Sequence, residues 1–273
     1  MYLLIDWGNS RLKYLLVESL SNRAIQSEQT QIQFASSVED LLLQLQNRSH
    51  KKQIDKALVA SVKSDEHNLL LRNSLNKINL SCSFVQPESS LDGIQLAYSD
   101  TNKIGVDRWL AMLGAFAPEQ SVGIIDLGTA ITVDLLNGDG RHLGGHIIPG
   151  LNMLRKSLLT TDNIGTNAGN VEFTSVDYLP NGQKTHCSDS FNLKMGNSTQ
   201  SCVDFGVEQL IFSYLNQMVT SAYHEFGLIH WKITGGDGAT WHAHLSRVKY
   251  REFSPLFVLS PKLIFQGLSK FHQ

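Results

Sequence analysis

Cysteine is scarce in this 273-residue chain: there are three, at positions 82, 187 and 202, with no CxxC spacing among them. That excludes a disulfide framework and a cysteine-based zinc site, and it fits a reducing compartment such as the cytoplasm. Long apolar runs are missing too, since none reaches the roughly 18 residues of a membrane span. Residues 1–5 have no basic stretch before them and meet Asp6 too early for a signal peptide, so they read as a buried strand. There is no excess of positive charge: the formal net charge is −2, and both signs are spread along the chain. This argues against nucleic acid or an anionic membrane as partner and favours a small ligand or a protein. No HExxH, GxSxG or GxxxxGK[ST] pattern occurs, so zinc-peptidase, α/β-hydrolase and P-loop readings lose their main support. His142, His146, His242 and His244 are read as surface or hydrogen-bonded structural residues.

What is present is a 42% hydrophobic chain, long enough to bury one large or two modest cores. Apolar runs at 2–5 and 12–17 flank a tight turn and predict a strand, turn and returning strand. Helical spacing over 37–46, with Ser37 as N-cap, predicts a helix after this first sheet. Strands at 57–61 and 82–85 around a helix over 65–78 complete an α/β alternation. The pattern restarts after Pro118, with strands at 121–125 and 130–136, a hairpin signal at Asn137-Gly138-Asp139-Gly140, and a third strand up to Ile148. Residues 203–223 have the periodicity of a long helix, with Val207, Leu210, Ile211, Tyr214, Leu215 and Met218 as its core face. The polar stretch 163–182 reads as a loop or excursion near a site.

Chemistry concentrates in the turns. Asp6-Trp7-Gly8-Asn9-Ser10 offers a carboxylate for a hydrated cation, a glycine that lets an anion approach the backbone, and two hydrogen-bonding side chains, with Lys13 adding a point charge. One such turn is also what an ordinary hairpin makes. The second, Asp126-Leu127-Gly128-Thr129-Ala130, repeats the acid, the glycine and the hydroxyl at matching offsets. Two such turns facing each other fit the phosphates and metal of a nucleoside triphosphate, and they imply duplication of a whole lobe. The paired glycines in Thr234-Gly235-Gly236-Asp237 leave room for a flat base. Gly105-Val106-Asp107-Arg108 sets a carboxylate able to take a proton beside a guanidinium able to hold a polar or anionic group, at the start of an amphipathic helix.

In this order, and with Gly144-Gly145-His146-Ile147-Ile148-Pro149-Gly150 and Asn197-Ser198-Thr199, the motifs resemble the type III pantothenate kinases, of the acetate and sugar kinase, Hsp70 and actin superfamily. The resemblance covers nearly the whole chain. It implies an α/β fold of two duplicated ribonuclease H-like (actin-like ATPase) lobes with mixed sheets and a cleft between them, divided as 1–117 and 118–273. It implies a homodimer, in contact through the long helix, that phosphorylates pantothenate at its primary hydroxyl, the first step of coenzyme A synthesis. By the same resemblance, Asp107 is the general base. Tyr98, Gly105, Val106, Asp107, Arg108 and Thr199 form the pantothenate pocket, and Thr199 can reach the site across the dimer interface. Asp6, Gly8, Asn9, Ser10, Lys13, Thr129, Gly235 and Gly236 hold ATP. Asp6 acts on magnesium directly or through water, and Asp126 holds a monovalent cation, potassium or ammonium. Ser10 stands where many relatives have threonine, and Gln200-Ser201-Cys202 where they have acidic and alanine residues. A kinase of another hydroxylated metabolite, such as a sugar, and a nucleotide-binding regulator on the same fold stay open as alternatives.

Overall fold

A computed structural model describes residues 1–48, 53–159, 194–248, 250 and 253–271. The polar stretch 163–182 and Cys187 lie outside the described residues. The first sheet is built from β1 (Tyr2–Trp7), β2 (Leu12–Val17), β3 (Gln33–Ala35), β4 (Lys56–Ser61) and β5 (Cys82–Phe84), in the order β3-β2-β1-β4-β5. β1 runs antiparallel to β2 and parallel to β4, and β4 parallel to β5. The central strands β1 and β4 are buried almost end to end, as parallel strands covered on both faces must be, which is why their sequences are continuous apolar runs rather than alternating ones.

The second sheet repeats the arrangement. β8 (Val122–Leu127), β9 (Ala130–Leu136), β10 (His142–Pro149), β11 (His230–Thr234) and β12 (Leu256–Leu259) lie in the order β10-β9-β8-β11-β12. Position for position this is the order of the first sheet, so the duplication expected from the two turns is a duplication of topology. Between the sheets in the sequence comes a small hairpin, β6 (Ser90–Leu91) with β7 (Ile94–Gln95), turned by Asp92 and Gly93 at φ 51° and 85°.

The helices are α1 (Asn22–Gln26), α2 (Val38–Gln46), α3 (Asp65–Asn76), α4 (Val106–Ala115), α5 (Leu151–Leu159), α6 (Thr199–Phe226), α7 (Gly238–Leu245) and α8 (Leu263–Leu268). Ser37 caps α2 as expected, its hydroxyl accepting from the Asp40 N–H. α6 begins on a capping box of Ser198 and Ser201, which gives Ser201 a purpose at a position where an acid would do the same.

By packing, the described residues divide into one unit within 1–124, 133–146 and 260–273 and another within 125–132 and 147–259. The sequence reading expects a single boundary at 117/118. Residues 260–273 join the first unit because α8 packs on α4. In the first unit, one face of the sheet buries Leu4, Leu15 and Leu58 with Trp109, Leu110, Leu113, Ile264 and Phe265, and the other buries Leu3, Ile5, Tyr14 and Val59 with Leu41 and Leu71. Glycine makes the α4–α8 approach close: a Cβ at Gly267 or Gly114 would collide with the Leu110 or Leu263 carbonyl.

In the second unit, α6 buries Val207, Ile211, Phe212, Leu215, Val219 and Ala222. Leu210, expected on the core face, is 56% exposed. The helix carries two apolar stripes, and Leu210 sits on the outward one with Val203 and Gly206. Among the described residues no helix is long and apolar enough to cross a membrane.

Candidate active site

The first turn is closed by its own backbone. The Gly8 N–H donates to the Arg11 carbonyl at 3.1 Å, so that amide is spent on the turn and anion-binding donors must come from the residues after it. Neither a positive φ nor crowding demands glycine at 8; a Cβ there would meet only the Arg11 carbonyl, at 3.7 Å. The bare backbone is thus available to a ligand rather than required by the fold. Lys13 lies opposite Asp6 in the ladder, and its Nζ is 3.3 Å from Asp6 Oδ2. The end of β4 adds a residue that sequence reasoning missed: Lys63 Nζ donates to the Asn9 carbonyl at 2.7 Å. Lysine after an apolar strand carries no local signal, and only the β1–β4 pairing brings it here.

Asp6 is 5% exposed. Burial pushes its carboxyl above the ordinary carboxylate range, Lys13 pulls it down, and the negative charge of Asp107 pushes it up again. Asp107 therefore lies within electrostatic reach of the first turn. For a carboxyl whose pKa is raised on folding, ionisation costs stability, and the cost is fully present above the folded pKa and vanishes below the unfolded one. Asp6→Asn is accordingly expected to raise the Tm of the ligand-free chain at neutral pH, and the gain should shrink as pH falls towards 3.8. Thermal melts across that range check it; a Tm that drops at neutral pH would show that the Lys13 pair outweighs the burial.

The start of α4 divides its labour by direction. Val106 is buried in the core. The Asp107 carboxylate folds back over the helix start, where it accepts the Arg108 N–H at 2.8 Å, and a Cβ on Gly105 would collide with its Oδ1. The glycine makes room for the carboxylate. Arg108 turns inward: Nε and Nη2 donate to the Asp134 carboxylate at 2.9 and 2.5 Å, and Nη1 to the Tyr98 hydroxyl at 2.9 Å. Burial alone would lower its pKa, but the contact with Asp134 holds it above the ordinary arginine value. Tyr98 and Arg108, expected in one pocket, are brought together. Asp134 was not anticipated, although a lone acid in the apolar strand AITVDLL is a signal that some partner exists.

In the second unit, the Gly128 N–H likewise closes its turn on the Ala130 carbonyl at 3.1 Å. Asp126 is half-buried, with Oδ1 3.7 Å from the place of a Gly128 Cβ. Thr129 is exposed, and its carbonyl accepts the Gly150 N–H at 3.0 Å. Gly150 is needed there, because a Cβ would collide with the Gly128 carbonyl. Of the paired glycines, Gly235 has φ 93° and its Cβ would strike the Leu127 carbonyl, which also accepts the Asp237 N–H at 3.0 Å. It is a docking residue for the loop. Gly236 has open space on its Cβ side, so it is the one with room for a base. Thr199, the first residue of α6, lies in this unit, on an apolar groove with Leu154, Leu158, Val203 and Leu210. Among the described residues no cluster of three or more His, Cys, Asp or Glu side chains can hold a metal.

A family model described as type III pantothenate kinase matches residues 2–221. The chain is 31% identical to the type III pantothenate kinase of Marinobacter nauticus over 87% of each chain. It is 28% identical to that of Psychrobacter cryohalolentis over 98% of this chain and 96% of the relative. Among solved structures, a protein from Campylobacter jejuni described as a Baf family transcriptional activator superposes with a TM-score of 0.54 at 19% identity, covering 98% of this chain and 96% of that one. A propionate kinase from Francisella tularensis superposes with a TM-score of 0.51 at 10% identity, covering 98% of each. At these identities the structural likeness speaks for the fold alone, which is the duplicated α/β architecture of the actin-like kinases.

Proposed function

Because the chain belongs to the type III pantothenate kinase family, we propose that it transfers the γ-phosphoryl group of ATP to the primary hydroxyl of pantothenate, with Asp107 as the general base. The observation that carries this reading is the Asp107 carboxylate, half-buried beside the Asp6 turn and held at the start of α4 by Gly105 and the Arg108 N–H. Phosphoryl transfer asks the protein mainly for positioning and for charge against the phosphates. Lys13 and Lys63 supply that charge at the first turn, and Asn9 and Ser10 supply hydrogen-bond partners. At the second turn Thr129 supplies a hydroxyl, and Gly236, on the loop docked by Gly235, leaves space for the adenine. Magnesium arrives with ATP, and Asp6, directly or through water, is its protein contact. Tyr98, Gly105, Val106 and Arg108 are proposed to line the pantothenate pocket, with Thr199 able to reach it from the partner protomer.

A single carboxylate beside turn carbonyls offers few ligands of low total charge, which suits a monovalent cation at Asp126 better than a dedicated divalent one. Potassium there would offset phosphate charge. The test of the whole reading is a coupled assay with ATP, magnesium and pantothenate, with potassium exchanged for sodium. Product that depends on pantothenate supports it, and folded protein that phosphorylates only a sugar or nothing at all would sink it. Equal rates in sodium and potassium would remove the Asp126 assignment.

The outward stripe of α6, with Val203, Gly206 and the exposed Leu210, supports a homodimer formed across this helix, for which sedimentation is the check. A monomer at micromolar concentration would exclude it. Free Cys82 and Cys202 fit a cytoplasmic location.

A further inference from the structure

Asp134 and His142 belong to none of the motifs that shape the proposed function, yet both end on the Arg108–Tyr98 pair. Asp134, in the middle of β9, and His142, the first residue of β10, are each 1% exposed. His142 Nε2 is 3.1 Å from Asp134 Oδ1, the same oxygen that Arg108 Nη2 reaches. A carboxylate can only accept, so Nε2 carries the ring proton. The Ala97 N–H is aimed at Nδ1 at 3.5 Å, so the second ring nitrogen faces a donor. It also lies parallel to the Tyr98 ring, with an interplanar angle of 3° and centroids 6.1 Å apart. Room for this cluster is made by Gly145 of the Gly-Gly motif: a Cβ there would collide with Asp134 Oδ1 and come within 2.7 Å of Arg108 Nη2.

The direction of the last hydrogen bond follows. Since Arg108 Nη1 donates to it, the Tyr98 oxygen is an acceptor, and its own proton has no acceptor among the described residues. The charge also follows: the Arg108 guanidinium and the Asp134 carboxylate that it grips sum to zero. We infer that Asp134 and His142 are positioning residues for acceptor recognition, which commit the Arg108 charge to Asp134 and turn Tyr98 into an outward donor for an uncharged oxygen of the substrate. A carbonyl or hydroxyl matches such a donor; a carboxylate would find no net charge to pair with. The inference rests on the reading that Tyr98 and Arg108 meet pantothenate.

The experiment separates the two. Turnover of pantothenate by the unmodified chain tests the reading; if another hydroxylated acceptor is used instead, the same variants are measured on that acceptor. His142→Phe keeps a ring against Tyr98 and removes both nitrogens, while His142→Gln returns an amide N–H near the Nε2 position. His142→Phe is expected to raise the pantothenate KM roughly 10-fold, with kcat and the ATP KM within about twofold of the original, and His142→Gln to recover most of the loss. An N-alkyl pantothenamide, which has no carboxylate, should show the same KM ratio. Should His142→Phe fail to fold, Tyr98→Phe removes the hydroxyl, both the oxygen that accepts from Arg108 Nη1 and the outward proton, and must raise both KM values alike. An unchanged acceptor KM, an equal loss on ATP, no recovery with glutamine, or an effect seen only with the carboxylate-bearing substrate would each overturn the inference.

Discussion

Asp107→Asn is expected to lower kcat by roughly 10²–10⁴-fold, the usual contribution of a positioned general base, while the Tm stays near that of the original chain. The carboxamide keeps an oxygen that can accept the Arg108 N–H, so the start of α4 is preserved. It cannot take a proton from a hydroxyl. The substitution also removes a negative charge that acts on Asp6, which works for the fold rather than against it. Steady-state kinetics paired with a thermal melt make the comparison. A kcat within a few-fold of the original would move the base elsewhere.

Arg108→Ala is expected to act first on stability. It leaves the Asp134 carboxylate, 1% exposed, with His142 but without its countercharge, and breaking a buried pair from one side costs about 3–5 kcal/mol. For a chain of this size that corresponds to a fall in Tm of roughly 10 °C. A second substitution, Asp134→Asn, removes the stranded charge and should return part of the lost stability without restoring acceptor binding. If Arg108→Ala melts with the original chain and only the pantothenate KM rises, the guanidinium faces the substrate and not Asp134.

The contrast between Asp107 and Arg108 marks how far the sequence carries. Gly105 to Arg108, the two acid-x-Gly turns and the periodicity of α6 are local patterns, set by backbone geometry or by one helix face, and a single sequence displays them. Asp134, His142 and Lys63 are not legible in that way, because each takes its role from a residue that only the sheet topology brings near. A buried acid announces a partner but does not name it. The same limit applies to Leu210, whose spacing fits the core face of α6 but which the neighbouring stripe displaces outward. The glycines show their packing roles only in the structure. The amides of Gly8 and Gly128 close their own turns, Gly235 packs against the Leu127 backbone, and Gly105, Gly145 and Gly150 each clear space for a group that matters.

The crossing of α4 and α8 bears on the order in which the molecule is made. α4 carries Asp107 and Arg108, and the helix that covers its far side, with Leu263 and Phe265 buried against it and Phe271 set against Trp109 with ring centroids 4.9 Å apart, is encoded after everything in the second unit. A nascent chain that has emerged through β11 holds every strand of the first sheet and the proposed base, yet the apolar flank of α4 is bare until residues 263–271 clear the ribosome. Contacts of such long sequence separation form late and slowly. Completion of the flank of α4 thus waits for α8 to be made, and chains that end before it would leave Trp109 and Leu110 for chaperones to cover.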